Sequence, residues 1–255
     1  MITSLIRSGI RKLGFEVSRY YPGSNEITSD SDFSDEDRAL VRRVKPFTMT
    51  TPDRIIGLRA AVKYVMTNRL PGDFVECGVW RGGSTMAAAL TFLEAGETFR
   101  ELWLFDTFKG MPPPQGVDVK WDGTTAQELL DSHPQNTEDY IWAIAPLETV
   151  RANLASTGYP EARWHLIQGR VEETIPNHAP ATIAILRLDT DWYESTKHEL
   201  EHLYSRVVPG GVVIIDDYGW YRGSRKAVDE FFANLPFKPF LNRMDRSGRL
   251  IIKPA

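Results

Sequence analysis

The amino-acid sequence predicts an α/β domain: a mainly parallel seven-stranded sheet with one antiparallel strand, helices on both faces, and an N-terminal helical extension acting as a lid. Three observations carry this expectation. From residue 73 onward, short apolar runs are followed by polar or glycine-rich turns and then by helix-period segments, which is the rhythm of a parallel sheet. The first run closes on a glycine-rich turn, Gly78 to Gly83. The fourth and fifth runs each end in two aspartates, at the edge where open α/β sheets hold their ligands.

Taken in order, residues 2–13 place Ile2, Leu5, Ile6, Ile10 and Leu13 at helical spacing with Arg7, Arg11 and Lys12 between them. A short basic amphipathic helix is expected there, docked on its own core or on a sister subunit rather than on an anionic membrane. Residues 22–37 hold six acids, Pro22, Gly23 and several serines, a composition that reads as a mobile linker or substrate-side lid. Ser34 is placed to cap a helix running through Leu40 and Val44, with Asp35, Glu36 and Asp37 at the favourable end of its dipole. Thr51-Pro52 opens a second helix to about Asn68. Strands are expected at Asp73–Gly78, Leu102–Asp106, Trp164–Gly169, Thr182–Asp189 and Val212–Asp216, with Phe237–Leu241 and Leu250–Lys253 as a final antiparallel pair. The chain therefore divides into an extension, 1–45, and a sheet domain, 46–255. Residues 111–146 carry three consecutive prolines, Trp121 and a helical stretch from Thr125 to Leu130, and fit no strand and helix alternation. An insertion this long is placed above the carboxyl edge of the sheet, where substrates bind.

With 255 residues, 42% of them hydrophobic and 11% aromatic, the chain suits one α/β domain with accessory segments. A formal net charge of -4 argues against nucleic acid as a partner, since phosphate binding needs a concentrated basic face. Cys77 is the single cysteine and reads as a small core residue, so neither a disulfide nor thiol chemistry is expected. No apolar run approaches the roughly 20 residues of a membrane span. Nor does the N-terminus carry a long apolar signal core, and a cytoplasmic location is the default.

The turn reads Glu76-Cys77-Gly78-Val79-Trp80-Arg81-Gly82-Gly83-Ser84, with glycines where the backbone must bend sharply and approach a ligand. Its spacing, E-x-G-x-x-x-G-G, only partly reproduces the diphosphate cradle of a dinucleotide site, which favours S-adenosylmethionine over NAD. Asp106 ends the next strand, 28 residues beyond Gly78, where an acid can accept hydrogen bonds from ribose hydroxyls. An NAD-linked oxidoreductase would also need a proton relay such as Tyr and Lys, which no strand-associated tyrosine supplies. At the other end of the site, carboxylates converging from Leu188-Asp189-Thr190-Asp191 and Ile215-Asp216-Asp217 would repel one another unless a hard, oxygen-preferring cation were present. Magnesium is the natural occupant, with calcium or manganese as substitutes. The five histidines are scattered and speak against zinc.

The segments F-V-E-C-G-V-W-R-G-G-S and L-W-L-F-D-T-F-K-G-M-P resemble the macrocin O-methyltransferase family. The similarity continues through A-P-L-E-T-V-R-A-N-L, L-R-L-D-T-D-W-Y-E-S-T-K, S-R-V-V-P-G-G-V-V-I-I-D-D-Y and S-G-R-L-I-I-K-P, over roughly residues 46–254. It implies a Rossmann-like class I methyltransferase fold, S-adenosylmethionine and Mg2+ as cofactors, and a hydroxyl of an antibiotic or glycan sugar, or of a phenolic aglycone, as acceptor. The implied cofactor contacts are Glu76, Gly78, Trp80, Gly82, Gly83 and Ser84, then Asp106, Thr107 and Phe108, then Gly169, Arg170 and Asp189. Asp189, Asp216 and Asp217 match the family's metal positions. Metal coordination lowers a hydroxyl pKa, and a nearby carboxylate then takes the proton; both Asp189, doubling as ligand, and Asp191 are candidates for that base. The lysine base of catechol-type enzymes does not transfer, because Trp192 occupies its position. Lys197 and His198 are read as non-catalytic helix residues. Trp80, Phe108, Trp192, Tyr218, Trp220 and Tyr221 are candidates for a sugar platform. A homodimer is expected from the amphipathic N-terminus, and a non-catalytic binding protein is the competing class.

Overall fold

The computed structural model describes residues 32–254. The helix predicted at 2–13, and the acidic stretch up to residue 31, lie outside them. The first described helix, α1 (Asp35–Val44), starts as its sequence dictates: Ser34 Oγ accepts the Asp37 N–H at 3.2 Å and Asp37 Oδ2 accepts the Ser34 N–H at 3.0 Å. Its apolar stripe, Leu40, Val41 and Val44, is buried in the main core, and its acidic end is held by Arg59, whose Nη1 reaches Asp37 at 2.8 Å. A short 3-10 turn, Lys45–Phe47, leads to α2 (Pro52–Thr67), which Thr51 caps and Pro52 pre-organises.

The remaining elements alternate: β1 (Asp73–Cys77), α3 (Gly83–Glu94), β2 (Leu102–Asp106), α4 (Ala126–Asp131), α5 (Leu147–Ala155), β3 (Trp164–Gln168), α6 (Val171–Thr174), β4 (Ile183–Leu188), α7 (Tyr193–Leu203), β5 (Val207–Ile215), α8 (Arg222–Ala233), β6 (Asn242–Arg243) and β7 (Arg249–Ile252). They form one seven-stranded sheet in the order β3-β2-β1-β4-β5-β7-β6. Strands β1 to β5 are mutually parallel, and β7 runs antiparallel between β5 and β6. Side chains alternate between two cores: Phe74, Leu104 and Ile185 face the α1–α3 side, whereas Val75, Cys77, Leu186 and Val213 face the α7–α8 side. Cys77 is fully buried, in keeping with its reading as a core residue.

Two strand expectations need correction. The stretch 237–241 is not a strand; β6 is the two-residue segment after it. Phe237 and Phe240 are 63% and 82% exposed, and Pro236 and Pro239 between and before them cannot donate to a ladder, so aromatic content alone misleads here. Conversely, β5 begins five residues earlier than expected, at Val207 rather than Val212. Pro209, Gly210 and Gly211 disguise its start, but the Gly210 N–H donates to the Lys253 carbonyl and the Lys253 N–H to that of Gly211, both at 2.8 Å.

Connections from β1 lead away to β2 and β3, whereas β4 and β5 extend the sheet on the other side of β1. The resulting crevice between the carboxyl ends of β1 and β4 is the topological switch point of the sheet. The insertion 111–146 covers that crevice. It is tied down by a bridge from Lys120 to Tyr221, and by Asp118, whose Oδ1 accepts the Tyr193 N–H and whose Oδ2 accepts the Gln115 N–H, each at 2.8 Å. No helix among the described residues is long and apolar enough to cross a membrane.

Candidate active site

A cavity of about 370 Å³ opens at this switch point. Its walls include Gly78, Trp80, Ser84, Asp106, Thr107, Gly169 and Arg170 on one side, and Asp189, Asp191, Asp216 and Asp217 on the other. Four of the residues predicted for the cofactor, Glu76, Gly82, Gly83 and Phe108, are close by in the chain but do not line it.

Glu76 is the clearest of these. It is wholly buried beneath the turn, receives the Thr85 hydroxyl, and is paired with Arg187 Nη1 at 2.6 Å. Burial pushes its carboxyl up to about 7 against the opposing pull of Arg187 and Thr85. Gly82 adopts φ +88 as the N-cap of α3, and Gly83 has no room for a side chain, since a Cβ would lie 2.6 Å from the Phe47 carbonyl. Phe108 is buried in the core at φ +53. Gly78, at φ +83, is required because the Asp189 carbonyl packs where its Cβ would be. The turn thus fits β1 against β4 as well as facing the cavity.

Asp106 is held by the chain itself: its Oδ2 accepts the N–H groups of Val79 at 2.6 Å and Trp80 at 2.9 Å, and its Oδ1 that of Phe108 at 2.7 Å. Amides of the β1 turn have no strand partner, and the carboxylate at the neighbouring strand end supplies one. Thr107 donates its hydroxyl to the Gly110 carbonyl, and Arg170 pairs with Glu172 at 3.3 Å.

On the other side, one carboxylate oxygen from each of Asp189, Asp216 and Asp217 lies within 4.8 Å of the others. Strand β4 ends at Leu188 and β5 at Ile215, so Asp216 and Asp217 stand where the strand period lapses and both can turn to one point. Asp191 follows in the left-handed region, at φ +65, which is costly for a non-glycine residue and aims its carboxylate back into the cavity. Burial holds Asp189 and Asp216 up at about 6 and Asp191 at about 7; it also holds Asp217 well above the ordinary carboxylate range, with repulsion from Asp191 and Asp216 adding to it.

Two arginines, neither anticipated as part of the site, offset some of this charge. Arg187, the one charged residue of the fully buried strand β4, places Nη2 2.7 Å from Asp189 Oδ2 and 2.9 Å from Asp216 Oδ1. Its position two residues before Asp189, in an otherwise apolar run, is a sequence signal that was there to be used. Arg54 of α2 pairs with Asp216 and, at 3.1 Å, with Asp245. Even so, Asp217 Oδ2 is buried without a hydrogen-bond partner, and Asp216 Oδ1 is near Arg187 but not aligned for a hydrogen bond. An all-oxygen donor set with a buried, partnerless oxygen on Asp217 fits a hard divalent cation.

Among the aromatics, Trp80, Trp220 and Tyr221 line the cavity, with the Arg246 guanidinium 5.2 Å over the Trp220 ring. Trp192 is buried and donates its Nε1–H to the Pro112 carbonyl at 2.9 Å, while Tyr218 turns away to Asp229. Lys197 lies over the Tyr193 ring and His198 contacts the Ile175 carbonyl, so both are outside the site.

A cavity at the switch point of this seven-stranded sheet, under a glycine-rich β1 turn with an aspartate at the end of β2, defines a class I methyltransferase dependent on S-adenosylmethionine. The chain belongs to the macrocin O-methyltransferase family, whose sequence profile matches residues 12–251. That match reaches well ahead of residue 46, where the recognisable motifs start. One relative, 35% identical over 217 residues, is the 8-demethyl-8-(2,3-dimethoxy-alpha-L-rhamnosyl)-tetracenomycin-C 4'-O-methyltransferase of Streptomyces olivaceus; the alignment spans 84% of this chain and 79% of that protein. A second, the demethyldecarbamoylnovobiocin O-methyltransferase of Streptomyces niveus, is 34% identical over 79% of this chain and 73% of its own length. The solved structure of the O-methyltransferase NovP superposes with a TM-score of 0.70 at 32% identity, over 82% of this chain and 83% of that one. The chain is an O-methyltransferase that uses S-adenosylmethionine.

Proposed function

We propose that this enzyme methylates a hydroxyl of a sugar carried by a natural-product glycoside or glycan, with Asp189, Asp216 and Asp217 holding a divalent cation, magnesium, and Asp191 acting as base. The observation that carries the reading is the all-oxygen triad on the cavity wall, with the buried Asp217 Oδ2 left without a partner. The name of the first relative described above, a rhamnosyl 4'-O-methyltransferase, supports a glycoside acceptor.

The division of labour follows from the walls of the cavity. The turn from Gly78 to Ser84 and the amino end of α3 are assigned to the cofactor, with Asp106 keeping the turn in shape and facing the ribose. When bound, the cation supplies Lewis acidity that makes the acceptor hydroxyl more acidic. Asp191 lies in the cavity against Asp217 but is not one of the three triad ligands, so of the two base candidates it is the one not spent on coordination. A carboxyl held near 7 is matched to proton transfer at neutral pH. As Asp191 takes the proton, the acceptor oxygen forms its bond to the methyl carbon and the carbon–sulfur electrons return to sulfur. Trp220 and Tyr221, on the cavity wall, are assigned to the apolar side of a pyranose.

The test is transfer from S-adenosylmethionine to a panel of rhamnosides, other glycosides and free phenols, read by mass and by the position of the new methyl group. Methylation confined to sugar oxygens, and abolished by chelator and restored by Mg2+, supports the reading. Methylation of phenols alone, or turnover indifferent to chelator, overturns it.

A further inference from the structure

The mechanism leaves one wholly buried acid without a role. Glu199, on the inner face of α7, is fully enclosed in protein; its Oε1 accepts the Thr190 hydroxyl at 2.9 Å and its Oε2 has no partner. An isolated acid in an apolar core is costly unless it is protonated or does something there. Burial, with Glu172 and Asp189 near, holds its proton on well above the usual range.

Thr190 lies between Asp189 and Asp191. All three residues line the cavity, and the Thr190 hydroxyl is given to Glu199 of α7. The segment is also held by backbone and hydroxyl contacts. The Asp189 N–H donates to the Cys77 carbonyl at 2.8 Å, and the Thr190 carbonyl accepts the Trp192 N–H at 2.7 Å and the Ser195 hydroxyl at 3.3 Å. The Thr190 side chain has one anchor, Glu199, and the next residue, Asp191, is held at φ +65, a conformation that persists only while its surroundings enforce it.

We propose that Glu199 is a positioning residue. Through its hydrogen bond to Thr190 it keeps the 189–191 turn in the conformation that presents Asp189 and Asp191 together to the cavity. This rests on the metal-assisted reading above. A neutral acceptor suffices for the role, because what Thr190 needs is an oxygen at that place. Glu199→Gln keeps the oxygen, whereas Glu199→Leu and Thr190→Val each remove one end of the bond at similar volume.

The experiment compares these three variants and the Glu199→Leu, Thr190→Val double variant by calorimetric titration with Mg2+ in the presence of S-adenosylhomocysteine, and by kcat and KM for S-adenosylmethionine. Glu199→Gln is expected to match wild type. Glu199→Leu and Thr190→Val are each expected to weaken Mg2+ binding by about 10- to 100-fold and to lower kcat alongside, with KM for the cofactor unchanged. The double variant is expected to be no worse than either single one, since both break the same bond. Folded Glu199→Leu and Thr190→Val proteins with wild-type Mg2+ affinity and kcat would overturn the proposal, as would losses in Glu199→Gln equal to those in Glu199→Leu. Should Glu199→Leu fail to fold, Thr190→Val, at the half-buried cavity wall, decides the matter alone. A wild type that turns over without taking up Mg2+ sinks the metal reading instead, and kcat of Thr190→Val then judges the positioning role.

Discussion

Arg187 shows how much one buried charge organises. Its guanidinium meets Glu76 beneath the cofactor turn, Asp189 and Asp216 in the triad, and, at 3.0 Å, the hydroxyl of Thr50 ahead of α2. Replacing it by Met strands Glu76 without its countercharge, so Arg187→Met is predicted to lose about 3–5 kcal/mol of stability in urea unfolding. Under the proposed function, Asp191 belongs to the chemistry rather than to the fold. Asp191→Asn is predicted to lower kcat by about 10²- to 10⁴-fold while cofactor affinity in a calorimetric titration stays at its wild-type value. The four aspartates were legible because acids at the ends of apolar runs have few other reasons to be there. Glu76 was legible as important but not in its role, since its partner Arg187 is 111 residues away and no local pattern links them.

At the level of elements, the insertion is fastened to the site by a few polar contacts. Helix α7 has no cap from its own N-cap residue, Trp192; Asp118, from the insertion, receives its first free N–H instead. Asp118→Ala leaves the amides of Tyr193 and Gln115 unmatched at a site where Asp118 is 1% exposed, a cost of about 1–3 kcal/mol. Hydrogen exchange is predicted to quicken across 111–146 and the start of α7 and to stay unchanged in β1 and β2. Nothing local announced Asp118, because its partner lies 75 residues on. Helix starts, by contrast, were readable at Ser34 and Thr51, which cap as their local sequences require. Errors fell on the last strands, where prolines and glycines conceal the true pairing and exposed phenylalanines imitate it.

Across the whole molecule, the mainly parallel sheet and the site's position at its carboxyl edge were foreseeable from the alternation of runs and turns, whereas Arg54, which moderates the acidic cluster from α2, emerged only from packing. That cluster sets the pH response. Glu76, Asp189, Asp191 and Asp216 hold their protons to about 6 or 7 in the folded chain, above the value near 4 of an unfolded carboxyl. Between about pH 4 and 7 the folded state therefore binds more protons than the unfolded one, and stability of the metal-free protein is predicted to fall as pH rises through that window. Added Mg2+ should reverse the trend, stabilising most at the upper end, where the ligands are ionised; thermal unfolding at a series of pH values, with and without the ion, checks both signs. Central to the proposed function is the triad as a cation site beside an independent cofactor site. Its most direct test is calorimetric titration of wild type and of the Asp216→Asn, Asp217→Asn double variant, first with S-adenosylmethionine and then with Mg2+. Cofactor binding by both proteins, with Mg2+ uptake and proton release in wild type alone, is the predicted result. A wild type that binds the cofactor but takes up no Mg2+, or a double variant that binds the ion equally well, would contradict it.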